Sequence, residues 1–163
     1  MPSRSIITTA LIAGAALALG AATAAPAKNA KKSTTLGCSL QLLAQGPPQG
    51  TPARGIQFGF ATCPRPFGSG VHYDAYTVTP TGPGQGTIAG TFTNYYNRGT
   101  TSGRFALTFA ASSPTTISYT GTVTYTGGTG AFRRVRGGGT ITCTSADGGA
   151  HKACTVNSTL TGI

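Results

Sequence analysis

The chain has 163 residues, which allows one domain with a modest core. Its formal charge of +10 rests on 12 Lys and Arg residues against only two acids, Asp74 and Asp147. Such a surface favours weak, non-specific adhesion to anionic polymers. Aromatic residues are not interleaved with the basic ones as in a nucleic-acid stacking platform, so the composition argues against specific nucleic-acid recognition.

The N-terminal residues have the pattern of a secretory signal. Arg4 precedes an uncharged apolar stretch over residues 6–22, and Ala22-Thr23-Ala24 fits the rule of small residues before a cleavage site. We predict a signal peptide over residues 1–24, with cleavage after Ala27 or a membrane anchor as alternatives. A flexible basic linker over residues 25–36 and a folded domain over residues 37–163 follow. We therefore expect a secreted or envelope-associated protein that does not span the membrane after cleavage.

The sequence of the folded domain predicts a succession of short strands and no helix. Turn signals rich in Gly, Pro, Asn and Asp separate the strand-like runs. The predicted runs are Cys38–Ala44, Gly55–Cys63, Val71–Thr79, Gly86–Tyr95, Gly103–Ala111, Thr116–Thr126, Gly138–Thr144 and Lys152–Leu160.

Apolar and polar residues alternate along these runs. Phe105 and Leu107 share one face of the fifth run, and Tyr119, Val123 and Tyr125 share one face of the sixth. Alternation with period two predicts antiparallel sheets with one buried face. Eight such strands fit a closed barrel or a sandwich.

The four cysteines are expected to form two disulfides, as is typical of small exported domains. Cys38 and Cys63 bracket the first predicted hairpin, and Cys143 and Cys154 lie on the two arms of the last one. We predict these two local pairs; crossed bonds between the terminal hairpins are the alternative. The cysteines lack a C-x-x-C spacing and the histidines are isolated, so we expect neither a metal site nor a cofactor.

A glycine-rich motif lies between the sixth and seventh runs. It comprises Gly127, Gly128, Thr129, Gly130, Phe132, Arg133, Arg136 and Gly137. The motif resembles the GGTG-x-FR-x-ARG signature of plant dirigent proteins, which share an eight-stranded barrel with allene oxide cyclases. The resemblance implies a single antiparallel eight-stranded β-barrel. It also implies a structural role for the motif at a barrel corner, with Phe132 tucked beneath.

The segment from Val71 to Tyr76 is where a His, an Asp and two Tyr residues gather. On a strand, His72, Asp74 and Tyr76 share one face and could act together in acid–base chemistry. They are the candidate catalytic residues; the alternative is a solvated outer face with a surface ion pair.

Three functions from different classes fit these observations. The first is a binding protein that holds a small apolar or aromatic ligand in the barrel lumen. The second is a dirigent- or cyclase-like enzyme, an activity that the resemblance implies, with Asp74 and either His72 or Tyr76 as the residues that would carry it. The third is a structural or adhesive envelope protein with a filled barrel. The sequence specifies neither the ligand nor the oligomeric state.

Overall fold

The computed structural model describes residues 32–163. The predicted signal peptide and residues 25–31 of the predicted linker lie outside the described residues. Within the described range, the fold consists of eight strands and a single turn of 3-10 helix between the sixth and seventh. The strands are β1 (Ser33–Ala44), β2 (Ala53–Thr62), β3 (Ser69–Gly82), β4 (Gln85–Tyr96), β5 (Gly99–Ala111), β6 (Ile117–Gly128), β7 (Arg136–Ser145) and β8 (His151–Thr161).

The eight strands form one closed antiparallel barrel. Each strand pairs with its neighbour in the sequence, and β1 pairs with β8 to close the sheet. This confirms the predicted all-β class and the eight-stranded barrel. The first strand begins at Ser33, five residues before the predicted run, because its N-terminal part pairs with the end of β8 and buries Leu36.

One disulfide links the two strands of the first hairpin, and a second links the two strands of the last hairpin. Cys38 in β1 bonds to Cys63 at the end of β2, and Cys143 in β7 bonds to Cys154, its direct partner in β8. These are the two hairpin pairs, not the crossed ones. Two disulfides are typical of a protein that folds in an oxidising compartment.

Strands β2 and β3 have an unusual orientation. The apolar residues Ile56, Phe58 and Phe60 point outward, whereas Gln57 faces the lumen. Strand β3 repeats this arrangement, because His72 and Asp74 face the lumen whereas Val71 and Tyr73 face outward. The barrel therefore has a partly polar lumen and a partly apolar outer surface.

The glycine-rich motif closes one end of the barrel. Phe132 is fully buried in the 3-10 turn, and its ring packs against Phe67 at 4.6 Å and Tyr96 at 5.8 Å between ring centroids. Gly130 lies at φ +57°, and a Cβ there would collide with the backbone of Arg98. We call this cluster of Phe67, Tyr96 and Phe132 the aromatic plug.

Replacing Phe132 by Ala should destabilise the barrel by about 3–5 kcal/mol, because it leaves a cavity in the aromatic plug. Arg133→Ala is the matched control, since Arg133 follows in the same motif but is exposed. Chemical denaturation of both variants measures the difference. Equal stabilities would mean that the motif does not support the barrel through Phe132.

Candidate functional site: the open mouth and the lumen

The end of the barrel opposite the aromatic plug is open. The loops that follow β1 and β7 surround a pocket of about 370 Å³, a size within the usual range for small-molecule sites. Apolar side chains form most of its wall: Pro47, Pro48, Val78, Ile88, Phe109 and Ile117. We call this pocket the mouth pocket.

The floor of the mouth pocket contains a buried lysine between two tyrosines. The Lys152 ammonium lies 5.5 Å from the centre of the Tyr119 ring and 6.0 Å from that of Tyr76, close enough for cation–π attraction. It donates hydrogen bonds to the carbonyl oxygen of Gly149 at 2.8 Å and to Gln57 Oε1 at 3.0 Å. An ammonium carries three donors, so one N–H remains for a ligand.

Burial alters the acid–base behaviour of this floor. It lowers the pKa of Lys152, although the negative charges of Asp74 and Asp147 oppose the change. It raises the pKa of Tyr119 to about 12, with smaller contributions from Tyr76 and Asp147. The pKa of Tyr76 is also raised, first by burial and then by the charge of Asp74. The two phenols are therefore neutral hydrogen-bonding groups at ordinary pH.

A chain of polar side chains continues from Lys152 toward the aromatic plug. Gln57 Nε2 donates to Asp74 Oδ2 at 2.7 Å, and His72 Nε2 donates to the same oxygen at 2.8 Å. The other ring nitrogen of His72 lies 2.7 Å from Asn94 Oδ1, and Asn94 Nδ2 donates to Thr101 Oγ1 at 3.1 Å. We call Lys152, Gln57, Asp74, His72, Asn94 and Thr101 the lumen network.

The His72 ring lies between two oxygen acceptors. It donates to Asp74 and Asn94 together only as the imidazolium, with a proton on each nitrogen. If the ring carries a single proton and this proton is on Nε2, the Asn94 amide must turn over, so that its nitrogen donates to His72 Nδ1 and its oxygen accepts from Thr101 Oγ1. The network thus has two hydrogen-bonding arrangements that differ by one proton and one amide orientation.

Asp74 is almost completely buried, with 1% of its surface exposed. Its Oδ1 atom has no hydrogen-bond partner among the described residues. Asp74 also lines an inner cavity of about 40 Å³, which offers enough space for water but is far smaller than the roughly 150 Å³ that benzene occupies in an engineered cavity. In this conformation the inner lumen accommodates water but no organic ligand.

The structure places the three candidate catalytic residues on the lumen side of β3. His72, Asp74 and Tyr76 are at most 7% exposed, so the alternative of a solvated surface ion pair is wrong. Their catalytic role stays a prediction.

Sequence reasoning missed Gln57, Asn94 and Lys152 as partners of the candidate residues. A signal existed for Lys152, because Cys154 and Val156 follow it at intervals of two and are buried.

A second Ser, Asp and His group lies in the turn before β8. Ser145 Oγ donates to Asp147 Oδ1 at 2.8 Å, while the backbone and ring of His151 bind the same carboxylate. The serine is hydrogen-bonded to the acid and not to the imidazole, so the arrangement does not activate a nucleophile. It stabilises the turn that carries Gly149 to Lys152.

Basic residues gather at the closed end instead. An open groove of about 660 Å³ is lined by Lys32, Arg98, Arg133 and Arg134. Neither acid of the described chain lines it, and both ion pairs recorded among residues 32–163 involve histidine. We call this feature the basic groove.

Comparison with known proteins gives little further information. The chain matches no protein-family model, and no curated protein is similar to it in sequence. A solved structure of a pyocyanin demethylase matches with 17% identity and a TM-score of 0.41, over 78% of this chain and 99% of that one. A similarity this low carries no information about the chemistry of this chain.

Residues 32–163 contain no helix of the length and apolarity needed to cross a membrane. The same residues contain no cluster of three or more His, Cys, Asp or Glu side chains that could hold a metal ion.

Replacing Tyr119 by Phe should reduce the loss of stability at alkaline pH. Because burial raises the folded-state pKa from 10.0 to about 12, the folded protein favours the neutral phenol. This contribution is complete below pH 10 and is lost as the pH rises toward 12. Lys152 acts in the opposite direction, since its lowered pKa makes folding more favourable as the pH rises to 10.5.

Denaturant unfolding at pH 10 and pH 12 measures the effect. The free energy of unfolding should fall less between these pH values in Tyr119→Phe than in the parent protein. Ser118→Ala is the control, because its side chain lies on the outer face of the same strand. If the free energy of unfolding falls as much between pH 10 and pH 12 in Tyr119→Phe as in the parent protein, the raised pKa of Tyr119 is contradicted.

Proposed function

We propose that the protein is an exported, disulfide-stabilised barrel that binds a small aromatic or apolar molecule with an acidic group. The ligand lies in the mouth pocket, with its apolar body against the pocket wall and its anionic group on Lys152. The observation that carries this proposal is the buried ammonium at the base of an apolar pocket, with one N–H left for a ligand.

The electrostatics support an anion more than a neutral ligand. A buried ammonium is costly unless charge or hydrogen bonds compensate it. Gln57 and Gly149 supply neutral acceptors, and the carboxylate of Asp74 lies one residue further along the lumen network. A ligand carboxylate would therefore compensate Lys152 directly.

The dirigent- or cyclase-like enzyme is a less well supported alternative. It requires a substrate to reach Asp74, which lies beneath the floor of the mouth pocket, together with His72 or Tyr76. The inner cavity of about 40 Å³ would first have to widen by movement of Tyr76 and Tyr119. Binding at the mouth needs no such movement.

The charge requirement can be tested with three naphthalene derivatives of one shape. We expect 2-naphthoate to raise the melting temperature, 2-naphthamide to raise it less, and 2-naphthylmethylamine to have no effect. A ligand at a free concentration of one hundred times its Kd adds about 2.7 kcal/mol to the free energy of unfolding. Lys152→Met should abolish the preference for the anion, whereas Lys32→Met, the same change at an exposed site, should retain it.

A second variant covers the case in which Lys152→Met does not fold. Ala150 is exposed and lines the mouth pocket, so Ala150→Trp should block the pocket without disturbing the core. Binding of 2-naphthoate that survives Ala150→Trp, or equal binding of all three compounds, would refute the proposed site.

The basic groove supports a second candidate function, adhesion to an anionic polymer. Four cations line one groove, and neither Asp side chain of the described residues lies among them, so a polymer of phosphate or sulfate groups would reduce their mutual repulsion. The narrow inner lumen is also compatible with a structural barrel.

Retention on a polyphosphate resin tests this function. The double variant Arg133→Gln/Arg134→Gln should elute at lower salt than Arg54→Gln/Arg104→Gln, which has the same net charge but changes exposed residues outside the groove. Exposed charges are screened within about 10 Å at 0.1 M salt, so elution should depend steeply on salt. Identical elution of both variants would show that only net charge matters.

A further inference from the structure

The outer surface of the barrel is apolar on one half only. Large apolar side chains project from β1 to β4, with Phe60 69% exposed and Tyr95 51% exposed. The complete set on these strands is Leu43, Ile56, Phe58, Phe60, Val71, Tyr73 and Tyr95. We call this set the apolar face. An exposed patch of this kind marks an interaction site on a soluble protein.

Strand register makes the apolar face continuous. Phe60 is paired with Val71 and Phe58 with Tyr73 across β2 and β3, and Val71 is paired with Tyr95 across β3 and β4. Paired residues on one face of a sheet lie about 5 Å apart. The aromatic rings therefore cover one area of the barrel wall.

The apolar face also lacks charge. Arg54, at the mouth end of β2, is the one charged residue that points outward from β1 to β4; Asp74, the other charged residue of these strands, lies inside. The outer positions of β6 to β8 instead carry mostly threonine. Enrichment in aromatic residues together with loss of charge is the composition of an interface core.

We propose that the apolar face is where two copies of this chain associate. The charges decide between the possible occupants. An anionic membrane or an acidic partner would be attracted to the basic groove, which lies outside the apolar face. A basic chain that meets a second copy of itself must do so over an uncharged surface, and the apolar face is such a surface. Contact between identical faces forms a closed dimer with twofold symmetry.

Sedimentation velocity of the purified protein measures the association. We expect a dimer whose dissociation constant decreases as salt is added, since salt screens the repulsion between two basic copies and leaves the apolar contact intact. Phe60→Lys should yield a monomer. Thr142→Lys, which adds the same charge to the exposed threonine surface of β7, should remain a dimer.

Melting curves of both variants separate loss of association from loss of folding, and Phe58→Lys provides a second substitution on the face if Phe60→Lys is unstable. A parent protein that stays monomeric at every salt concentration would overturn the proposal. So would equal dissociation of Phe60→Lys and Thr142→Lys. A monomer that binds vesicles of anionic lipid, and that loses this binding in Phe60→Lys, would assign the apolar face to a membrane instead.

Discussion

The Cys38–Cys63 bond is the constraint on which the lumen and the outer wall both depend. Cys38 lies on the same side of β1 as Leu36 and Leu40, which are buried in the barrel. A bond from that side holds Cys63 toward the interior, and successive side chains of a strand alternate between faces. Gln57 must then face the lumen, and Phe58 and Phe60 must face outward. A shift of one residue would exchange the two sets.

This orientation of β2 passes to β3 through their pairing. Gln57 lies opposite Asp74, and Phe58 lies opposite Tyr73, so the polar side of β3 is inside and its apolar side is outside. The buried polar groups are tolerated because hydrogen bonds join them from Lys152 to Thr101. The same pairing produces both the lumen network and the apolar face.

Much of the fold could be predicted from the sequence, because strand alternation and turn residues are local signals. The eight strands and the inward Phe105 follow from them, and the buried Phe132 was expected from the motif resemblance. The hydrogen bonds that lead from Lys152 through Gln57 to Asp74 could not be predicted, since these residues come from strands whose relative stagger is set only in the closed barrel. From the alternation of apolar and polar residues alone, Phe58 and Phe60 would be expected to face the interior of the barrel.

The outward orientation of Phe58 and Phe60 has a cost in stability. A large apolar side chain that stays fully in water lacks the roughly 1.5–3 kcal/mol of stabilisation that its burial would contribute. Lumen volume explains part of this orientation. Phe92, Phe105 and Tyr125 already fill the interior, so two more rings would overpack it. The limited volume of the lumen explains why small residues of β2 face inward. It does not explain the polar ones, because an apolar side chain in the place of Asp74 or Lys152 would need no hydrogen-bond partners. Departures from the pattern that stability alone would favour are expected at functional sites. The polar lumen and the apolar wall are two such departures, and they coincide with the proposed ligand site and with the proposed contact between copies.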